Sequence, residues 1–330
     1  MLVVSRSFSG AGVLLALVAA MLVLSGCDEP KFDTSSADAL QESRANIALD
    51  WGSDFWWRYN RAAAWLFAAR EGWRKLEGRD SRYMLDRIEG DSQYEGGMDE
   101  AMFRLATDLA SERVSKGGGE DAPNRDIGFE LLRTEIDGKS ASEFFALADR
   151  ALPKARNSFN EFRRTLIDEF ADDVKKVEGR YRAFLAEAEK VRVEVFGVRG
   201  VAAGLSQDMR FRVAQELFSF RLTNGTEKPI DRIVFVRGVK EVGLRKLIFD
   251  FPTPVAPGET TEKHDLSVGT GGDLMAAAGT PRFMNVRFAD GAWFPRKDME
   301  RTYEEYVARQ REFWEGMRDR LKGWRAQMAK

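Results

Sequence analysis

The chain has 330 residues, of which 44% are hydrophobic, and its 51 basic and 53 acidic side chains nearly cancel. That balance leaves no basic footprint for nucleic acid, and the length exceeds what one hydrophobic core usually serves, so two domains are expected. One cysteine and one histidine exclude an internal disulfide and a zinc site built from Cys and His.

The N-terminus reads as a targeting segment. Arg6 precedes an unbroken small and aliphatic run from Val13 to Leu24. A comfortable bilayer span needs about 20 residues, so the run suits a signal-peptide core instead. It ends at Leu24-Ser25-Gly26-Cys27, which resembles the lipobox of bacterial lipoproteins. The resemblance implies removal of residues 1–26 and acylation of the Cys27 thiol by palmitate-type chains. Each buried CH₂ of such an anchor contributes about 0.8 kcal/mol. The alternative is an ordinary secretory signal with a chance cysteine. Against it, Cys27 is the sole cysteine and stands at the one position where the chemistry needs a thiol. Loss of Arg6 leaves a net charge of −3. Asp28 and Glu29 resemble the sorting signal that retains some lipoproteins in the inner membrane, so the periplasmic face of that membrane is favoured over the outer membrane.

Residues 27–34 read as a short lipidated tether. Ser35 is the expected N-cap of a helix running to about Asp50, with Asp38 three residues later. Asp54 to Leu76 predicts a second helix, because Phe55, Tyr59, Ala62, Leu66, Ala69, Trp73 and Leu76 recur at spacings of 3 and 4. Shorter helices are expected at Ser81–Glu89 and Met98–Val114. A loop at Lys116–Asp126 carries three glycines and Pro123. Ile127–Ile136 reads as a further helical turn or two. Ser140 and Glu143 form a capping box for a helix ending near Leu152, and Pro153 suits the first turn of another. That helix keeps one stripe from Phe159 to Ala188, which completes an α-helical domain over residues 35–190.

At Val191 the period drops to 2, with Val191, Val193 and Val195 alternating with Arg192 and Glu194. Further strands are expected at Arg210–Leu222, Ile230–Arg237, Leu244–Phe251, Thr260–Ser267 and Arg282–Phe288. Turn chemistry separates them. The spacing suggests an antiparallel β-sandwich over 191–295. Asn224-Gly225-Thr226 matches a glycosylation sequon, but Asn-Gly is first of all a hairpin turn. From Arg296 to Lys330 an apolar stripe runs from Met299 through Phe313, Met317, Leu321 and Trp324 to Met328. Such an amphipathic helix must bury that stripe. Packing lengthwise on the helical domain, against Pro153–Lys190, is the expectation; a dimer seam or a docking surface for an envelope protein is the rival. The whole reads as an α+β chain.

Two segments together resemble a family of uncharacterised bacterial lipoproteins: Pro30-Lys31-Phe32-Asp33-Thr34-Ser35-Ser36 with Ala39, and Asp137-Gly138-Lys139-Ser140-Ala141-Ser142-Glu143 with Ala148. The Trp-rich helix lies between them as an insertion would. Phe220 to Ile230, with Ala256-Pro257-Gly258-Glu259 and Phe288-Ala289-Asp290-Gly291, is similar to immunoglobulin-like modules of bacterial envelope lipoproteins. The resemblance implies a fold, no reaction and no catalytic residue.

Chemistry-bearing motifs are sparse. His264 is expected to be an exposed strand residue beside Asp265, and no nucleophile elbow accompanies it. Gly138-Lys139-Ser140 ends like a P-loop, but Arg133 occupies the place of the required first glycine. No cofactor is implied. Five of the eight tryptophans lie between Trp51 and Trp73. Trp51, Trp56, Trp57 and Trp65, with Arg58 and Arg61, are the candidate membrane or partner contacts. Trp and Arg on one helix suit the headgroup layer; filling the core of a helical bundle is the more usual fate of such rings. The expected function is a non-enzymatic, periplasm-facing lipoprotein acting through envelope contacts. The alternatives are a lipid-associated module built on residues 51–76 and a carboxylate-based hydrolase. A row of solvent-facing Trp beside the anchor would mark the first of these, and a deep acidic cleft the second.

Overall fold

A computed structural model describes residues 29–117, 133–202, 214–239, 243–270 and 277–329. The signal segment, Cys27 and Asp28 lie outside the described residues, as do most of the glycine loop and the start of the strand expected from Arg210. The chain is α+β and divides into two units, residues 1–169 and 170–330.

The first unit is helical. Helix α1 (Ala37–Trp51) starts one residue later than the sequence suggests, because Ser36, not Ser35, accepts the Ala39 N–H. Helix α2 (Phe55–Glu71) stops well short of Leu76. Gly72 has φ +74°, a left-handed conformation that suits glycine and ends the helix. Helices α3 (Ser81–Asp91) and α4 (Met98–Gly117) follow. Helix α5 (Ala141–Ala188) is a single element of 48 residues. The reciprocal Ser140–Glu143 capping box opens it. Pro153 lies inside α5, where the sequence suggested a new start. Proline removes one helical hydrogen bond, but apolar residues on both sides, Phe144, Ala148, Ala155 and Phe159, are buried, and that burial outweighs one missing rung.

The supposed tether is held from its far half onward. Lys31 bridges Ser140, the Phe32 N–H donates to the Lys139 carbonyl at 2.8 Å, and Gly138 returns a bond to the Phe32 carbonyl. The Thr34 hydroxyl donates to Asp137 at 2.8 Å. Phe32 is only 1% exposed and packs on Tyr59 and Phe144, with ring centroids 5.9 and 5.4 Å away. A polar average concealed one aromatic anchor.

The second unit contains the remainder of α5 and two antiparallel sheets. Strands β1 (Val191–Ala202), β2 (Ala214–Asn224) and β5 (Thr260–Thr270) form one sheet in the order β1-β2-β5. Strands β3 (Ile230–Val239), β4 (Gly243–Val255), β6 (Ala277–Phe288) and β7 (Trp293–Phe294) form the other in the order β4-β3-β6-β7. Phe218, Phe220 and Leu222 of β2 share one buried cluster with Ile233 and Phe235 of β3 and Val286 of β6. Val191 is buried, while Arg192 and Glu194 are exposed, as the period of 2 requires.

The Asn224-Gly225 turn is not a hairpin. Its flanking strands, β2 and β3, belong to different sheets, and an Asn-Gly dipeptide carries no signal for which strand its partner will be. Asn224 is fully buried. Its side-chain amide donates to the Lys228 and Val255 carbonyls at 2.8 and 2.9 Å, and its Oδ1 accepts from the Thr226 N–H and hydroxyl. Gly225 is required by close approach: a Cβ there would stand 2.9 Å from the Lys190 carbonyl oxygen. Asn224→Ala should therefore lower the thermal midpoint of the full chain, since each stranded buried group costs about 1–3 kcal/mol. Gly225→Ala should also destabilise, by about 1–3 kcal/mol of overpacking. Calorimetry showing either variant as stable as the parent would contradict this account.

Helix α6 (Tyr303–Met328) begins at Thr302, whose side chain completes a capping box with Glu305. It lies antiparallel to the end of α5: Trp324 meets Phe170 at 5.0 Å, Trp314 stacks on Tyr181 at 5.6 Å, and Tyr306 meets Phe184 at 5.6 Å. Phe313, which the stripe placed inward, is 50% exposed. The neighbouring Trp314 takes the inward position against Tyr181 and turns Phe313 to solvent. Trp324→Ala is expected to cost about 3–5 kcal/mol, and Phe313→Ala less than about 0.5 kcal/mol. Denaturant unfolding of the two variants checks the contrast.

Candidate functional site

The tryptophans of the first unit separate by helix geometry. Trp65 is buried at 7% exposure, whereas Trp56 and Trp57 are 42% and 63% exposed. Trp51 ends α1 half-buried and meets Phe145 of α5 edge-on at 5.0 Å. Trp73, beyond the end of α2, donates its ring N–H to the Ala155 carbonyl at 3.0 Å. The sequence offered core or interface for the group as a whole; the rings divide between the two.

The basic residues divide as well. Arg61 pairs with Glu100, Arg70 with Glu71 and Glu135, Arg74 with Glu112, and Lys75 with Glu169. Most of these carboxylates lie far off in sequence, so the basic excess counted along the segment is largely neutralised within the unit. Arg58 is the exception. Its guanidinium rests over the Phe145 ring at 4.7 Å and the Trp51 ring at 5.1 Å and makes no ion pair among the described residues. Cation–π contacts of this kind contribute about 0.5–1 kcal/mol at exposed sites. Arg44 lies over Trp56 at 5.4 Å, and Arg61 over Trp57 at 4.7 Å.

These groups border a cavity of about 220 Å³. Trp57, Arg58, Arg61 and Trp65 of α2 line one side; Phe145 and Asp149 of α5 and Asp99 of α4 also line it. Asp99 is engaged by Arg156 through both oxygens. Asp149 is exposed and makes no ion pair or side-chain hydrogen bond among the described residues. Sequence reasoning missed Asp149 and Phe145, which belong to a helix about 90 positions from α2 and carry no motif. The second unit has a separate cavity of about 310 Å³ near Arg296, Arg301 and Arg309, without comparable aromatic walls.

Glu29, read as part of the sorting signal, has a structural role too. Its carboxylate accepts the Ser142 N–H and hydroxyl at 3.1 and 2.9 Å. Burial alone would raise the Glu29 pKa, but hydrogen bonds from Ser142, Ser140 and the Trp51 ring outweigh it and hold the carboxyl below the usual glutamate value. The chain two residues after Cys27 is thereby fixed to the start of α5, beside Trp51. His264 is exposed, with Nε2 3.3 Å from Glu262 and its ring against Phe196. Among the described residues, no group of three or more His, Cys, Asp or Glu is placed to hold a metal ion. None of their helices is long and apolar enough to cross a membrane. No family model, curated protein or solved structure matches the chain.

The depressed Glu29 pKa has a testable sign. A carboxylate whose folded pKa lies below its unfolded value adds stability above the unfolded pKa, and that stability is lost as pH falls through the folded value. The protection of the Ser142 amide, its exchange rate relative to the intrinsic rate at the same pH, should therefore fall on acidification through the Glu29 titration. Glu29→Gln should remove the pH dependence; an unchanged profile would remove Glu29 from the attachment.

Proposed function

We propose that the chain is a non-enzymatic lipoprotein of the bacterial envelope, held at the periplasmic face by acyl chains on Cys27, and that its α1–α2 aromatic face works at the membrane surface. One observation carries the second half: Arg58, which makes no ion pair among the described residues, follows the exposed Trp57 and lies over Trp51 and Phe145, and Glu29 is hydrogen-bonded to Ser142, three residues before Phe145. Two residues of chain reach at most about 7 Å, so an acyl anchor at Cys27 would hold this face close to the headgroups. Trp favours that layer and Arg its phosphates. Asp28 and Glu29 favour the inner membrane.

The resemblance to uncharacterised lipoproteins belongs to this proposal, and support for it lies in the pairing of its two segments, Lys31 with Ser140 and Thr34 with Asp137. The immunoglobulin-like reading of the sheets belongs here too. It is supported by a three-plus-four antiparallel arrangement in which β4 and β5 lie in different sheets. A second reading, docking of an envelope protein, is favoured by the exposed Phe313 of α6.

Metabolic fatty-acid labelling tests the anchor. Cys27→Ser should lose both label and membrane retention, and Asp28→Ser with Glu29→Ser should move the acylated protein toward the outer membrane in a host that reads that signal. Brominated lipids should quench the tryptophan fluorescence of the acylated protein, and Trp56→Ala with Trp57→Ala should remove most of that quenching. Label retained by Cys27→Ser would refute the anchor. Absence of quenching in the labelled parent would refute the membrane face and leave the partner-docking reading.

A further inference from the structure

The cavity lined by α2 has aromatic walls and, within about 220 Å³, a cation and an anion that make no ion pair among the described residues. The surrounding charges are already satisfied: Arg61 is paired with Glu100, and Asp99 with Arg156. What remains is the Arg58 guanidinium and the Asp149 carboxylate, which are not joined to each other. Their placement follows from two helices. Arg58 lies over Phe145, and Asp149 follows Phe145 by four residues, so it occupies the next turn on the same face of α5.

A third feature points the same way. In a helix the Asp149 carbonyl would accept the N–H of residue 153, but residue 153 is proline and has none. The Asp149 carboxylate lines the cavity on this weakened turn of α5. A carboxylate without an ion pair asks for a ligand with N–H donors. Arg58 asks for a phosphate or carboxylate, which a guanidinium binds through two parallel bonds. The indoles of Trp57 and Trp65 complete the lining.

We propose that this cavity binds phosphoethanolamine, the zwitterionic headgroup of phosphatidylethanolamine, with the phosphate on Arg58 and the primary ammonium at Asp149 beside the indoles. The inference rests on the membrane-surface reading for the source of the ligand, but the recognition chemistry is that of the headgroup itself. A glycerol headgroup has no cation for Asp149. A choline headgroup has a cation without N–H, so it gives the carboxylate no hydrogen bond.

Native mass spectrometry of the acylated protein, extracted in mild detergent, tests this directly. Phosphatidylethanolamine, phosphatidylglycerol and phosphatidylcholine of matched chains are offered in competition. Loss of a charge-assisted hydrogen bond corresponds to about 10- to 100-fold in affinity, so ethanolamine lipid should exceed the other two by at least about tenfold. Arg58→Gln and Asp149→Asn should each abolish that preference, and Asp149→Asn should do so without shifting the thermal midpoint, since its side chain is exposed and makes no ion pair among the described residues. Soluble O-phosphoethanolamine should displace the bound lipid, which separates headgroup recognition from general affinity for acyl chains. Equal adducts for the three lipids would overturn the proposal. So would a preference for glycerol lipid that survives Asp149→Asn, or bound lipid that phosphoethanolamine does not displace. If fatty-acid labelling fails while phosphoethanolamine still binds in an Asp149-dependent way, the membrane reading falls and the pocket stands.

Discussion

One helix has to bury a single apolar stripe along 48 residues, and both units are organised by that requirement. In the first unit, Phe144, Phe145, Ala148, Phe159 and Leu166 of α5 give the shorter helices and the N-terminal segment a surface to cover. In the second, Phe170, Ala171 and Val174 are buried and Phe184 packs against the strand core. Isolated helices draw little stability from propensity and most of it from such packing. The interior proline is tolerated for the same reason: the loss of one hydrogen bond is local, and the stripe is not.

The surface of the first unit follows from how its charges are spent. Five cations cluster in and just after α2, and four of them find carboxylates from other parts of the unit. The more exposed of these pairs, such as Lys75–Glu169, contribute roughly 0–1 kcal/mol each, and together the four erase the local basic excess. Arg58, supported from below by Phe145 and Trp51, keeps its charge available. An aromatic shelf orients a guanidinium without neutralising it.

The periodic features were readable from the sequence. The change of period at Val191, the Ser140–Glu143 cap and the Met317, Leu321 and Trp324 part of the α6 stripe arise from neighbours within a few residues, and the structure contains each of them. Features that depend on distant partners were not readable. Nothing near Phe32 marks it as a core residue, because its contacts, Lys139, Phe144 and Tyr59, come from elsewhere in the chain. The neutralisation of Arg61 by Glu100 and the placement of Asp149 beneath α2 are invisible for the same reason. Helix ends fell between the two: Gly72 was in view, but Trp73 and Leu76 kept the period and masked the stop.

The Asn224 network also decides how this protein ages. An Asn-Gly dipeptide is prone to lose its amide when the glycine nitrogen attacks the asparagine side-chain carbonyl carbon to close a succinimide ring. In the folded chain that nitrogen is tied to the Lys190 carbonyl at 2.6 Å, and the amide it would expel is clamped between two further carbonyls. Ring closure therefore needs the second unit to open first. Isoaspartate at residue 224 would then accumulate in proportion to time spent unfolded, and a routine peptide map would read out the conformational history of a preparation.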